Sequence, residues 1–198
     1  MRFTLRDLVY VGVFGALWGA LEATLGAALH VLRVPFAGLV LASGGMAIAL
    51  VGRLFVPRKG SLVAIGVVTA LLKALSVGGL VFGPMLAIVV ESAIAEAVVL
   101  ALGARAPAFV LAGAAALLWP VVHPLVTQVL LAGRAVLAVY LDILAGLMRL
   151  LRLDARGVAL ALALFVALHL ACGALAGWLA WEAGRTAARR VGRDEDRE

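Results

Sequence analysis

Glu22, Lys73, Glu91, Glu96, Trp119, His123 and His169 are side chains suited to binding polar solutes, yet each sits in a long apolar run. An ionisable group at the centre of a bilayer costs about 2.5–3.5 kcal/mol on insertion scales, so each charge needs a reason. Counting back from a hairpin expected at Val81–Pro84, Lys73 and Glu91 fall at about the same depth, roughly 10–12 Å from that end of their helices. They are therefore expected to face each other, as a register-fixing ion pair or as part of a site. Glu22, about ten residues before Arg33, and His123, late in its own run, belong to the same layer, whereas Glu96 and His169 are expected nearer mid-membrane. Glu91 and Glu96 are separated by about 140° around a helix and cannot share one narrow face. Trp119, between Leu118 and Pro120, is a candidate wall for stacking a ring, and Trp178 and Trp181 are candidate interface anchors. With three carboxylates against Lys73, the layer favours a solute of cationic or hydrogen-bond-donating character, although a protonated carboxyl is also tolerated in lipid.

Neither histidine has a spacing that builds a metal site, and each also reads as an ordinary donor between helices. No HExxH, GxSxG or phosphate-cradling glycine loop is present, so no catalytic residue, cofactor or metal is assigned. Cys172 is the single cysteine, which excludes an intramolecular disulfide and leaves it to pack as a small hydrophobe.

The elements that hold these groups are membrane helices. With 65% hydrophobic and 14% charged residues and a mean hydropathy of +1.15, the chain lies far outside the soluble range. Breakers and charges divide it into spans at 8–32, 36–55, 62–82, 84–102, 107–131 and 156–181. The fold expected is all-α: a compact bundle of about six transmembrane helices forming one domain over residues 1–184, followed by a charged, frayed tail at 185–198. The first run is too long for a signal-peptide core and is read as a retained helix. Two places depart from a plain six-helix pattern. Pro120 and Pro124 are expected to break the fifth helix at depth, as helices around transporter sites often are. The connection from Arg134 to Arg156 is too apolar for a loop and reads as an interfacial helix or a seventh span.

The net charge of +6 raises the question of nucleic acid. The arginines, however, lie between spans and at the C-terminus, and their reading is topological. With both termini cytoplasmic, the inner segments hold Arg2, Arg6, Arg53, Arg58, Lys59, Arg105 and the tail arginines, while the first two outer connections hold only Arg33. Arg134, Arg149, Arg152 and Arg156 are the exceptions.

In lipid, small residues spaced by four let helix backbones approach closely. Gly12, Ala16 and Ala20 have that spacing, with Gly15, Gly19 and Ala23 in a second row, and together they are expected to form one broad smooth face for an internal neighbour or a partner. With Ala16-Leu-Trp-Gly-Ala20 near its N-terminus, the chain resembles the substrate-binding S components of energy-coupling factor (ECF) vitamin transporters in size, helix number and this motif. The resemblance implies docking of Gly12, Ala16 and Ala20 on a transmembrane coupling subunit driven by two ATPase subunits. It also implies a cell-membrane, non-enzymatic subunit that binds a small polar solute such as a vitamin or vitamin precursor. The long fifth connection departs from that family's pattern. The other readings are a small proton-coupled secondary transporter, for which 198 residues without an inverted repeat is short, a membrane enzyme, and a structural membrane protein.

Overall fold

The computed structural model describes residues 3–75, 82–151 and 154–195. Those residues form an all-α bundle: α1 (Leu5–Val31), α2 (Ala37–Phe55), α3 (Ser61–Ala74), α4 (Phe82–Leu102), α5 (Ala106–Ala116), α6 (Trp119–Ala132), α7 (Ala135–Leu151) and α8 (Ala155–Glu195). Helices α1, α2, α4 and α8, and α5 with α6 taken together, are long and apolar enough to cross a membrane. The expected all-α membrane architecture is therefore present. Helix α3 is a shorter apolar helix, and residues 76–81 of the span expected there lie outside the described residues.

Helix α2 is the hub. It is apolar and small-residue-rich, and it touches α1, α3, α4, α5, α6 and α8. Around it α1, α3, α4, α5 and α8 follow one another in an arc, each packing on the next, and α2 fills the side between α8 and α1. Trp18, Met46, Leu50, Leu62, Ile65, Phe109 and Leu117 fill the interior with no exposed surface.

One end of the bundle is braced by polar groups. Thr4 and Asp7 form a capping box at the start of α1: the Thr4 amide donates to Asp7 Oδ2 at 2.8 Å and the Asp7 amide to Thr4 Oγ1 at 3.2 Å. Asp7 also pairs with Arg58 in the α2–α3 turn, Nε to Oδ2 at 3.2 Å. That turn closes on Gly60 at a φ of 86°, a left-handed conformation suited to glycine.

The small residues of α1 divide between two faces. Val11, Gly15, Trp18, Gly19, Glu22 and Gly26 form its buried stripe, at the spacing of one helical face. A Cβ on Gly15 would lie 2.6 Å from Val68 Cγ1 and one on Gly19 3.0 Å from Leu72 Cδ1, so this row is what lets α1 settle onto α3. Ala16 and Ala20 are exposed, and a Cβ on Gly12 would meet nothing within 4 Å. The single broad face expected from the sequence is thus two faces with different neighbours, because rows offset by three positions lie about 60° apart around a helix.

A second close approach joins α5 to α8. A side chain at Gly113 would strike the backbone of Gly173, and one at Gly177 would strike the carbonyl of Phe109. The Gly173-Ala-Leu-Ala-Gly177 sequence carries the spacing that drives such contacts in membranes. Trp181, read from sequence as an interface anchor, packs edge-on to Phe109 with ring centroids 5.2 Å apart, and Trp178 is exposed.

Two local expectations are corrected, and a third, open between two readings, is narrowed. Phe82, Gly83 and Pro84 form the first turn of α4 rather than a hairpin, since a proline at the start of a helix lacks only an amide that has no partner there. Val81 lies outside the described residues. The frayed tail is instead the continuation of α8 through Glu195, helped by good helix formers such as Ala187 and Ala188 and by a Glu182–Arg185 pair at 2.8 Å. Finally, the connection after α6 is a discrete helix, α7, of 17 residues with Asp142 and Arg149 seven apart on one stripe. Its length falls short of the about 20 residues of a span and fits an interfacial helix better.

The α5–α8 contact yields a test. Gly113→Leu is expected to destabilise the bundle by about 3 kcal/mol or more, because its neighbour is backbone and cannot rotate away. Gly12→Leu, on the open face, is expected to leave the melting temperature in detergent unchanged.

Candidate functional site

The end of the bundle opposite the Asp7–Arg58 brace holds a cavity of about 250 Å³. Helix α1 contributes Glu22, α2 contributes Gly38, Leu41 and Ala42, and α3 contributes Lys73. Helix α4 supplies Pro84, Ala87, Ile88 and Glu91, and α6 closes the wall with Pro120, His123 and Pro124.

Helix rise explains why the two carboxylates meet. Glu22 is nine residues before the end of α1 and Glu91 nine residues after the start of α4, and both helix ends lie at the cavity end. At 1.5 Å per residue each is about 14 Å in, so both carboxylates arrive at one level. Lys73, in the last turn of α3, reaches that level from the rim. Its Nζ donates to Glu22 Oε2 at 3.2 Å, with side-chain exposures of 18% and 10% that mark the pair as largely desolvated. The expected Lys73–Glu91 pair is replaced by Lys73–Glu22 because α3 packs along α1 as well as along α4. Glu91 is 3% exposed and makes no hydrogen bond or ion pair with any described residue.

The fifth span is interrupted as expected, at Leu117–Leu118. Pro120 lacks the amide that would continue the α5 ladder, so the helix restarts with proline in its first turn. This break re-aims α6 toward the start of α4. His123 Nε2 lies 2.8 Å from the carbonyl oxygen of Gly83. A carbonyl only accepts, so Nε2 carries the hydrogen and donates it. Pro124, within α6, also lines the cavity beside His123. Trp119 is set behind His123, ring centroids 5.9 Å apart, and is not part of the cavity lining; its buried Nε1 has no partner among the described residues.

Glu96 and His169 lie elsewhere. Glu96 accepts the backbone amides of Gly60 at Oε1 and Leu62 at Oε2, both at 2.9 Å. It caps α3 from a neighbouring helix, where Gly60 has no side chain to do so and where the helix dipole favours a negative charge. His169 is 3% exposed; its Nδ1 donates to the Phe165 carbonyl of its own helix at 2.8 Å, and its ring stacks near Phe165. A buried histidine four residues after a carbonyl is satisfied locally and is not directed at the cavity. The three prolines of the wall were not singled out as site residues from the sequence, although Pro120 and Pro124 were visible there as breakers.

Thus Glu22, Lys73, Glu91 and His123 face one cavity, Trp119 stands behind it, and Glu96 and His169 serve the helices. Breaking the Glu22–Lys73 pair by Lys73→Met is expected to destabilise the protein by about 3 kcal/mol, because it strands a buried carboxylate. Adding Glu22→Gln should restore most of that loss, which a double-mutant cycle by thermal melting measures directly. No protein-family model, no curated protein and no solved structure matches this chain, so function is read from the cavity and the helices that build it.

Proposed function

We propose that this protein is the membrane-embedded, solute-binding subunit of an ATP-driven importer of the ECF type. It takes up a small polar nutrient of the size of a vitamin or vitamin precursor. The observation that supports this most is the two-sidedness of α1, which carries Glu22 into the cavity on its buried face and Gly12, Ala16 and Ala20 on an open face. A binding subunit needs both: a pocket for the solute and a surface on which backbones can approach a coupling subunit closely. In this reading the chain does no chemistry, resides in the cell membrane, and relies on two partner ATPases for energy. The basic residues Arg53, Arg58, Lys59 and Arg105 then lie on the cytoplasmic side with both termini, and the cavity opens outward. Helix α7 rests at the outer interface, its apolar face in contact with membrane lipids.

The runner-up is a proton-coupled carrier, favoured by a buried carboxylate, Glu91, without a partner among the described residues. The two readings separate in one experiment on the affinity-tagged chain expressed in its native host. The importer reading expects a coupling subunit and ATPases to co-purify, and Ala16→Leu or Ala20→Leu to reduce that recovery several-fold while the isolated chain keeps its melting temperature. Recovery of the chain alone, together with uptake abolished by a protonophore but indifferent to ATP depletion, would replace the importer with the carrier. For orientation, Ala188→Cys in a Cys172→Ala background is expected to resist a membrane-impermeant thiol reagent in intact cells; ready labelling overturns the cytoplasmic placement.

A further inference from the structure

Glu91 sets the chemistry of what the cavity accepts. Within the cavity the charges of Glu22 and Lys73 offset each other through their ion pair, which leaves Glu91 as the carboxylate with no partner among the described residues. It is 97% withdrawn from solvent, and a carboxylate so placed is stable as an ion only when a cation or several donors reach it. On the same lining, His123 spends its Nε2 hydrogen on Gly83. The remaining wall is apolar and rigid, with proline rings from Pro84, Pro120 and Pro124. The volume, about 250 Å³, is that of roughly eight waters.

We infer that the solute is a small organic monocation with N–H donors on a flat apolar body, its cationic nitrogen paired with Glu91 and its body lying between the proline walls. The cavity limits it to roughly ten non-hydrogen atoms within the wall, with any remainder projecting from it. The inference builds on the proposed solute-binding role and adds the class of solute. An anion is disfavoured because it would face Glu91 and Glu22, and Lys73, the cation in the lining among the described residues, is paired with Glu22. A neutral solute would leave Glu91 with hydrogen bonds but no counter-charge.

A matched set of single-ring probes tests this on the full-length chain in nonionic detergent: benzylammonium, benzyltrimethylammonium, benzyl alcohol and benzoate at millimolar concentration, read by thermal shift and calorimetry. Benzylammonium is expected to raise the melting temperature and to bind more tightly than the other three, since it alone brings both charge and N–H donors. Glu91→Gln, which keeps side-chain size, should weaken benzylammonium about tenfold or more. Its ligand-free melting curve shows that the variant is folded. If Glu91→Gln does not fold, the ranking of the four probes on the natural chain decides alone. Preference for benzyl alcohol or benzoate, or benzylammonium binding unaffected by Glu91→Gln, overturns the inference, as does the absence of any benzylammonium effect. Those outcomes leave the importer reading intact wherever coupling and ATPase subunits still co-purify. Conversely, Glu91-dependent benzylammonium binding by a chain that recruits no ATPase upholds the solute class and removes the importer.

Discussion

A carboxylate inside hydrocarbon must be matched by donors, matched by a cation, or left with room for one of these to reach it, and this chain contains each situation within one bundle. Glu96 is matched by the backbone amides of Gly60 and Leu62, which turns a costly charge into the cap of α3. Glu22 is matched by Lys73. Glu91 has space beside it instead of a partner among the described residues. Architecture follows from these three solutions. The Glu96 cap ties α4 to the α2–α3 turn, and the Glu22–Lys73 pair ties α1 to α3. The unmatched Glu91 lies where the helices do not close on one another, and that is the cavity.

Close packing elsewhere makes the opening possible. Hydrophobic association supplies little force between helices in lipid, so the bundle is held by backbone approach at small residues. Gly15 and Gly19 seat α1 on α3, and Gly113, Gly173 and Gly177 seat α5 on α8. These contacts, with the Asp7–Arg58 pair and the Thr4–Asp7 capping box, concentrate rigidity in the middle and at the braced end. Helix α6 stands apart from that scheme. It leaves the line of α5 at Leu117–Leu118 and meets α4 through His123 and Gly83, with Thr127 packed beside Gly83. One wall of the cavity therefore belongs to a helix fastened by a polar contact, while the opposite walls belong to the packed helices α1, α2, α3 and α4.

Depth was legible in the sequence and neighbourhood was not. Helix rise is fixed, so counting residues from helix ends put Glu22, Lys73, Glu91 and His123 in one layer, and the four do line one cavity. The partner of Lys73 could not be counted, because α3 has both α1 and α4 beside it and only their packing sets which carboxylate Nζ reaches. Glu96 carried a readable signal as a charge in an apolar run, but its purpose resides in Gly60, whose missing side chain leaves the α3 amides open; nothing local to Glu96 points there. The interruption of the fifth span was readable because proline removes an amide wherever it stands. The Gly173-x-x-x-Gly177 approach was readable by the same rule applied to α1 and was missed there. The division of small residues on α1 into an inner and an outer face needed α3 in place before it was visible.

The two faces of α1 connect the cavity to the exterior of the bundle by the shortest structural route available. Glu22 and Gly19 belong to the buried stripe, Ala16 and Ala20 to the open one, and all lie within two turns of a single helix. Lys73 holds Glu22 from α3, and Thr69, one turn earlier on α3, donates within reach of the Gly15 carbonyl at 3.0 Å. In the proposed binding role, a solute that draws on the charge of Glu22 or Lys73 would act on this same α1–α3 seam. Rigid helices transmit small shifts along their axes rather than absorbing them, because packed interfaces rearrange between discrete fits and do not deform smoothly. In the proposed binding role, occupation of the cavity would reach the ridge through this one helix.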